Sequence, residues 1–201
     1  MTFPAFFDDA PVIRMRDGLA KLLGTARDGV LEYRYADAAR LAGHSCPTVA
    51  GAWLSARAGL RTLYGDELPE RGGITVSLPE AEDDGVAGVI GQVLTLVTGA
   101  AGAGGFKGLG GLHVRRNLLR YGDRSAGSLQ MRRNDTGATV EVRFDASPVP
   151  ADPGMRTLIP LALAGSPDAT ARFGPAWQDR VRRLLIDHAD DPAVVSVRRV
   201  N

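Results

Sequence analysis

The chain has 201 residues, 44% of them hydrophobic, with 24 Lys plus Arg against 23 Asp plus Glu. That is enough apolar material for one proper core, and the near-neutral balance leaves no polycation for nucleic acid or an acidic membrane surface. A single cysteine, Cys46, excludes an internal disulfide framework and fits a reducing compartment. Met1 to Phe7 lacks a basic region followed by an apolar core, and no apolar run reaches spanning length, so a cytoplasmic protein without a membrane partner is expected.

From the N-terminus, Val12, Ile13, Met15, Leu19, Leu22 and Leu23 form an imperfect helical stripe, predicting an amphipathic helix over Asp8 to Leu23 that stops at Gly24. Val30 to Tyr35 reads as a short strand, and Asp37 as the cap of a brief turn, Ala38 to Leu41. Pro47 then opens a helix that runs to Tyr64 and ends at Gly65. Its small residues, including Ala50, Gly51, Ala52, Ser55 and Gly59, allow a helix or sheet to approach closely.

Gly73 to Leu78 follows as a strand. Val86, Val89, Ile90, Val93, Leu94 and Val97 recur at helical spacing behind Asp83 and Asp84, read as a capping pair. Gly99 to Gly111 is too glycine-rich for regular structure and is expected to be a functional loop or a surface excursion, with Phe106 and Lys107 embedded in it. Its Gly102 to Gly108 portion lacks the Gly-Lys-Ser/Thr ending of a phosphate-binding loop. Asn117 to Tyr121 suggests a further strand, and Ser128 to Arg133 with Ala138 to Phe144 a hairpin about Asn134–Gly137. A proline-punctuated connector holds a short helix, Met155 to Ala164. Ser166 caps a helix carrying Trp177, Val181, Leu184 and Leu185, and Ala193 to Val200 reads as a last strand. The arginines Arg180, Arg182 and Arg183 read as a solvated or paired face.

The chemistry concentrates at Gly43-His44-Ser45-Cys46-Pro47. Proline at the first helical turn makes Cys46 the N-cap or its neighbour, where open N–H groups favour a thiolate, and His44 lies two residues upstream. Together they offer two ligands to zinc or a similar ion. The plain structural reading stands beside this one: Cys46 as a small buried hydrophobe and His44 as a hydrogen-bonded loop residue.

With its small-residue helix, this motif resembles the FmdE-like family of formylmethanofuran dehydrogenase components, whose pattern is Gly-His-x-Cys-Pro. Gln92-Val93-Leu94-Thr95 leading to Thr98-Gly99, and Asn117 to Gly122, are similar to two further family blocks. The resemblance implies an α/β (α+β) fold with helices packed on a mixed sheet, a bound metal, zinc or another divalent ion such as nickel, and a homodimer. It also draws Gln92 and Thr98 into the ligand-binding set. The family's cysteines near Gly85 and after the Thr-Gly run are missing here, as is its cysteine-rich tail.

His113 is the expected third metal ligand, with Glu82, Asp83 and Asp84 as oxygen alternatives, and Lys107 would hold an anionic group of a small molecule. A single domain over 1–201, with its core about 28–145, is expected. Two functions stay open: an open mononuclear metal site binding or acting on a small molecule, or a non-catalytic binding or structural module with a degenerate site.

Overall fold

The computed structural model describes residues 3–200; the outermost ends of the 1–201 span lie outside the described residues. A short helix α1 (Phe6–Asp9) leads into strand β1 (Ile13–Arg16), helix α2 (Gly18–Leu22) and strand β2 (Val30–Tyr33). This replaces the single amphipathic helix expected over Asp8 to Leu23. Pro11 supplies no N–H, and Ile13 and Met15 are buried while Arg14 and Arg16 are exposed, which is the period of a strand. β1 pairs antiparallel with β2 in a two-stranded ribbon.

Helix α3 (Tyr35–Ala42) is longer than the turn expected there, and Asp37 lies inside it, its carboxylate reaching back to accept from the Arg34 backbone at 2.9 Å. Gly43 ends it at φ 72°, a left-handed conformation that only glycine adopts cheaply. Helix α4 (Pro47–Tyr64) follows with its expected bounds and buries most of its length. Leu54 and Leu60 are each almost wholly removed from water, which stabilises the fold by about 2 kcal/mol apiece. Trp53 is fully buried and its Nε1 donates to the Pro11 carbonyl at 2.9 Å, tying α4 to the N-terminal ribbon.

The main sheet has the order β4-β3-β5-β6-β7, built from β3 (Ile74–Ser77), β4 (Leu119–Arg120), β5 (Leu129–Arg133), β6 (Thr139–Phe144) and β7 (Val195–Val200). Only β3 and β4 run parallel, so the sheet is mixed and the fold is α+β, as expected. Helix α5 (Ala87–Thr98) packs beside α4, but no side chain caps it: Asp83 and Asp84 lie exposed in the preceding turn. Helices α6 (Met155–Leu163) and α7 (Pro167–Arg182) pack on each other, and α7 runs into a π-helical turn, Arg183–Asp187. Ser166 caps α7 as its spacing predicts. Among the described residues no helix is long and apolar enough to cross a membrane.

The small residues of α4 let the sheet close on it. A Cβ added at Gly51 would come within 2.4 Å of the Phe144 ring, and one at Gly59 would overlap the Met131 sulfur. The expected close approach is therefore a packing contact with β5 and β6.

Candidate functional site

The motif residues differ in burial. Cys46 is the N-cap of α4, its Sγ accepting from the Val49 N–H at 3.5 Å, and it belongs to the buried core. His44 is exposed, with Nδ1 2.9 Å from the Ala42 carbonyl. Ser45 between them shares a 2.8 Å hydrogen bond with the Tyr35 hydroxyl, which burial pushes well above its ordinary pKa and keeps protonated. The Ser45 carbonyl accepts from Trp177 Nε1 at 2.9 Å, so α7 fastens the motif loop.

His113, the expected third ligand, stands in another corner. It takes a left-handed backbone, φ 58°, and its ring lies against Gly18, with the Glu70 carboxylate alongside. The glycine loop does not carry it back to His44 because the loop closes on itself. The Phe106 carbonyl accepts from the N–H groups of Arg115 and Arg116, Leu109 bridges to Leu112, and Ala101 pairs with Arg115. Glu82, Asp83 and Asp84 are exposed. Among the described residues no group of three or more His, Cys, Asp or Glu side chains is placed to hold a metal ion. The donor set expected for zinc or nickel therefore does not fit this arrangement: one sulfur is engaged as a helix cap and the second imidazole belongs to a different element.

The expected ligand-binding residues also part company. Thr98 is buried, its hydroxyl donating to the Leu94 carbonyl at 2.7 Å and accepting from the Ala100 N–H at 3.1 Å, so it finishes α5. Lys107 is exposed on the loop. Gln92 lines a hollow of about 390 Å³ with Arg71, Thr95 and Tyr121.

What anchors the loop is a buried ion cluster. Asp17 is 3% exposed and caps α2 through the N–H groups of Leu19 and Ala20. Arg115 reaches the same carboxylate at 2.9 Å and Arg71 at 3.2 Å, and Arg115 also donates to the Arg71 carbonyl. Burial pushes the Asp17 carboxyl up, but the Ala20 N–H and the two guanidiniums outweigh it, and the net pKa lies below the ordinary value. Burial lowers Arg115 in spite of Asp17.

A more spacious hollow lies elsewhere, where the first turns of α4 face the hairpin and α5. A cleft of about 540 Å³ is lined by Thr48, Gly51, Ala52 and Ser55 of α4, by Leu78, Glu80, Val86 and Ile90, and by Gly127, Ser128, Leu129, Val142, Arg143 and Phe144. That volume suits a small-molecule ligand. Ser128 Oγ is buried and has no hydrogen-bond partner among the described residues. Arg143 and Glu80 are exposed at the cleft and enter none of the ion pairs among those residues. Sequence reasoning missed Glu80, Ser128 and Arg143. The one local signal was that Ser128 and Arg143 fall in the two stretches that the sequence reads as hairpin strands, with nothing to say that an opening faces them.

No family model matches the chain, and no curated protein matches it. Among solved structures, the chain is similar to a tungsten formylmethanofuran dehydrogenase FmdE-like protein from Syntrophus aciditrophicus, at 13% identity and a TM-score of 0.45, covering 84% of this chain and 73% of that one.

Proposed function

We propose that this protein is a non-catalytic binding module that holds a small molecule with an apolar body and an anionic group in the cleft between α4, α5 and the hairpin. The observation that carries this reading is an apolar-walled cleft whose rim has an exposed guanidinium, Arg143, that enters no ion pair among the described residues. Leu78, Val86, Ile90, Leu129 and Val142 supply apolar contact, and Arg143 supplies charge-assisted recognition of a carboxylate or phosphate.

Turnover finds little support in the same geometry. No histidine lines the cleft, and neither Ser55 nor Ser128 has a side-chain hydrogen bond to a base there among the described residues. Glu80 is the one carboxylate there.

The test is titration with benzoate followed by ligand-observed NMR, against benzyl alcohol as the uncharged comparison. Benzoate should bind saturably, and Arg143→Glu should weaken it about tenfold, on the scale of one charge-assisted hydrogen bond. Benzoate binding unchanged in Arg143→Glu, or no saturable binding to the wild type, would overturn the reading.

A further inference from the structure

Gln92, Thr95 and Leu96 share one face of α5, and that face lines the hollow of about 390 Å³. Two glycines let other elements come against it. The Glu82 side chain passes Gly88, its Cγ 3.9 Å from where a Cβ would stand, and a Cβ added at Gly91 would collide with the Tyr121 hydroxyl. Gly88 lies four residues before Gln92 and Gly91 directly precedes it, so Glu82, Tyr121 and Gln92 meet along one stretch of the helix. Leu41, Leu96 and Leu119 supply the apolar wall.

The polar groups of this wall are open. Glu82 and Gln92 are exposed and Tyr121 is half-buried, and none of the three side chains enters an ion pair or hydrogen bond among the described residues. Burial, and after it the Glu82 carboxylate, raises the Tyr121 pKa, so the phenol stays protonated with that carboxylate nearby. Arg71 also lines the hollow, but its guanidinium is committed to Asp17 at 3.2 Å and to the Leu96 carbonyl at 3.2 Å. Glu82 is therefore the one uncommitted charge in the lining. A carboxylate, a phenol oxygen and an amide oxygen make three acceptors, and a primary ammonium has three donors.

We propose that this hollow binds a small primary ammonium ion with an apolar body, its charge paired with Glu82 and its remaining N–H groups accepted by Tyr121 and Gln92. The site takes the opposite charge from the cleft beside α4 and shares no lining residue with it.

Benzylamine, protonated at neutral pH, is the probe. Benzyl alcohol keeps its body without the charge, and benzyltrimethylammonium keeps the charge without N–H donors. By ligand-observed NMR on the full chain, benzylamine should bind saturably and about tenfold more tightly than either, the scale of one charge-assisted hydrogen bond. Glu82→Gln, a change of an exposed side chain, should weaken benzylamine about tenfold, and Tyr121→Phe should weaken it by a smaller factor. Intermolecular NOEs should join the benzyl ring to the methyl protons of Leu96 and Leu119. No saturable binding, equal affinity for benzylamine and either comparison, affinity that survives Glu82→Gln, or NOEs to other residues alone would overturn the proposal. Loss of binding in Glu80→Gln with Glu82→Gln unaffected would place the amine in the other cleft and overturn it too.

Discussion

Helix α4 and the loop 99–111 both depend on glycine, and the glycines do different work. In α4, Gly51 and Gly59 have ordinary helical backbones, and what forbids a larger residue is the neighbour: the Phe144 ring and the Met131 sulfur occupy the space. In the loop, Gly108, Gly110 and Gly111 have φ of 93°, 57° and 81°, and Gly110 and Gly111 have open space around them. There the constraint is the backbone itself. One region is held by packing, so its precision comes from a sheet. The other is held by hydrogen bonds and by a buried charge cluster at its base, so its precision comes from Arg115.

The comparison breaks most visibly at that base. Asp17→Ala leaves Arg115 buried without its carboxylate and should cost about 3–5 kcal/mol, read as a lowered denaturation midpoint. The same cluster sets an acid limit. The folded-state pKa of Asp17 is depressed, so its stabilisation is fully present above the ordinary carboxylate value of about 3.9 and is lost as pH falls through the lower folded value. The stability gap between wild type and Asp17→Asn should therefore shrink on going from neutral pH to below that value; a gap that stays constant would remove the charge from the explanation.

Gly51→Ala sharpens the packing side. The substitution gains about 1 kcal/mol of helix propensity, but its Cβ meets the Phe144 ring, and overpacking costs about 1–3 kcal/mol. Net destabilisation is expected, together with weaker benzoate binding, because the displaced ring is a wall of the cleft. Gly110→Ala meets no atom and should still cost about 1–2 kcal/mol through its left-handed backbone. The smallest effect is expected at Asn117, also left-handed at φ 62°, where Asn117→Gly should stabilise by up to about 1 kcal/mol since asparagine tolerates that region. Matched thermal melts of the three variants separate clash from conformational strain.

Much of the local structure was legible. Pro47 and Gly65 bracketed α4, the turn residues between Arg133 and Ala138 announced the hairpin, and Ser166 with Pro167 announced α7. The first helix failed because Val12, Met15, Leu19, Leu22 and Leu23 fall at helical spacing while Ile13 and Met15 keep a strand alternation; pairing with β2 decided between them. His113 failed differently. Proximity in a loop suggested that it could fold back to His44, but the loop's own hydrogen bonds turn it towards Gly18.

The sequence by itself determined the caps, turns and strand alternation, because these depend on the dihedral preferences and hydrogen bonds of residues a few positions apart. It also placed Cys46 at the start of α4, since proline after it leaves that position no other role. Only the tertiary structure decided which polar groups meet. Asp17 reaches Arg71 across 54 positions and Arg115 across 98, and Gln178 reaches Ser45 across 133. Such meetings follow from how the sheet closes on α4 and where α7 lands, which are properties of the packed whole. The same closure leaves Ser128 Oγ and Gln178 Oε1 buried with no partner among the described residues, and no local pattern marks either atom as the one left over.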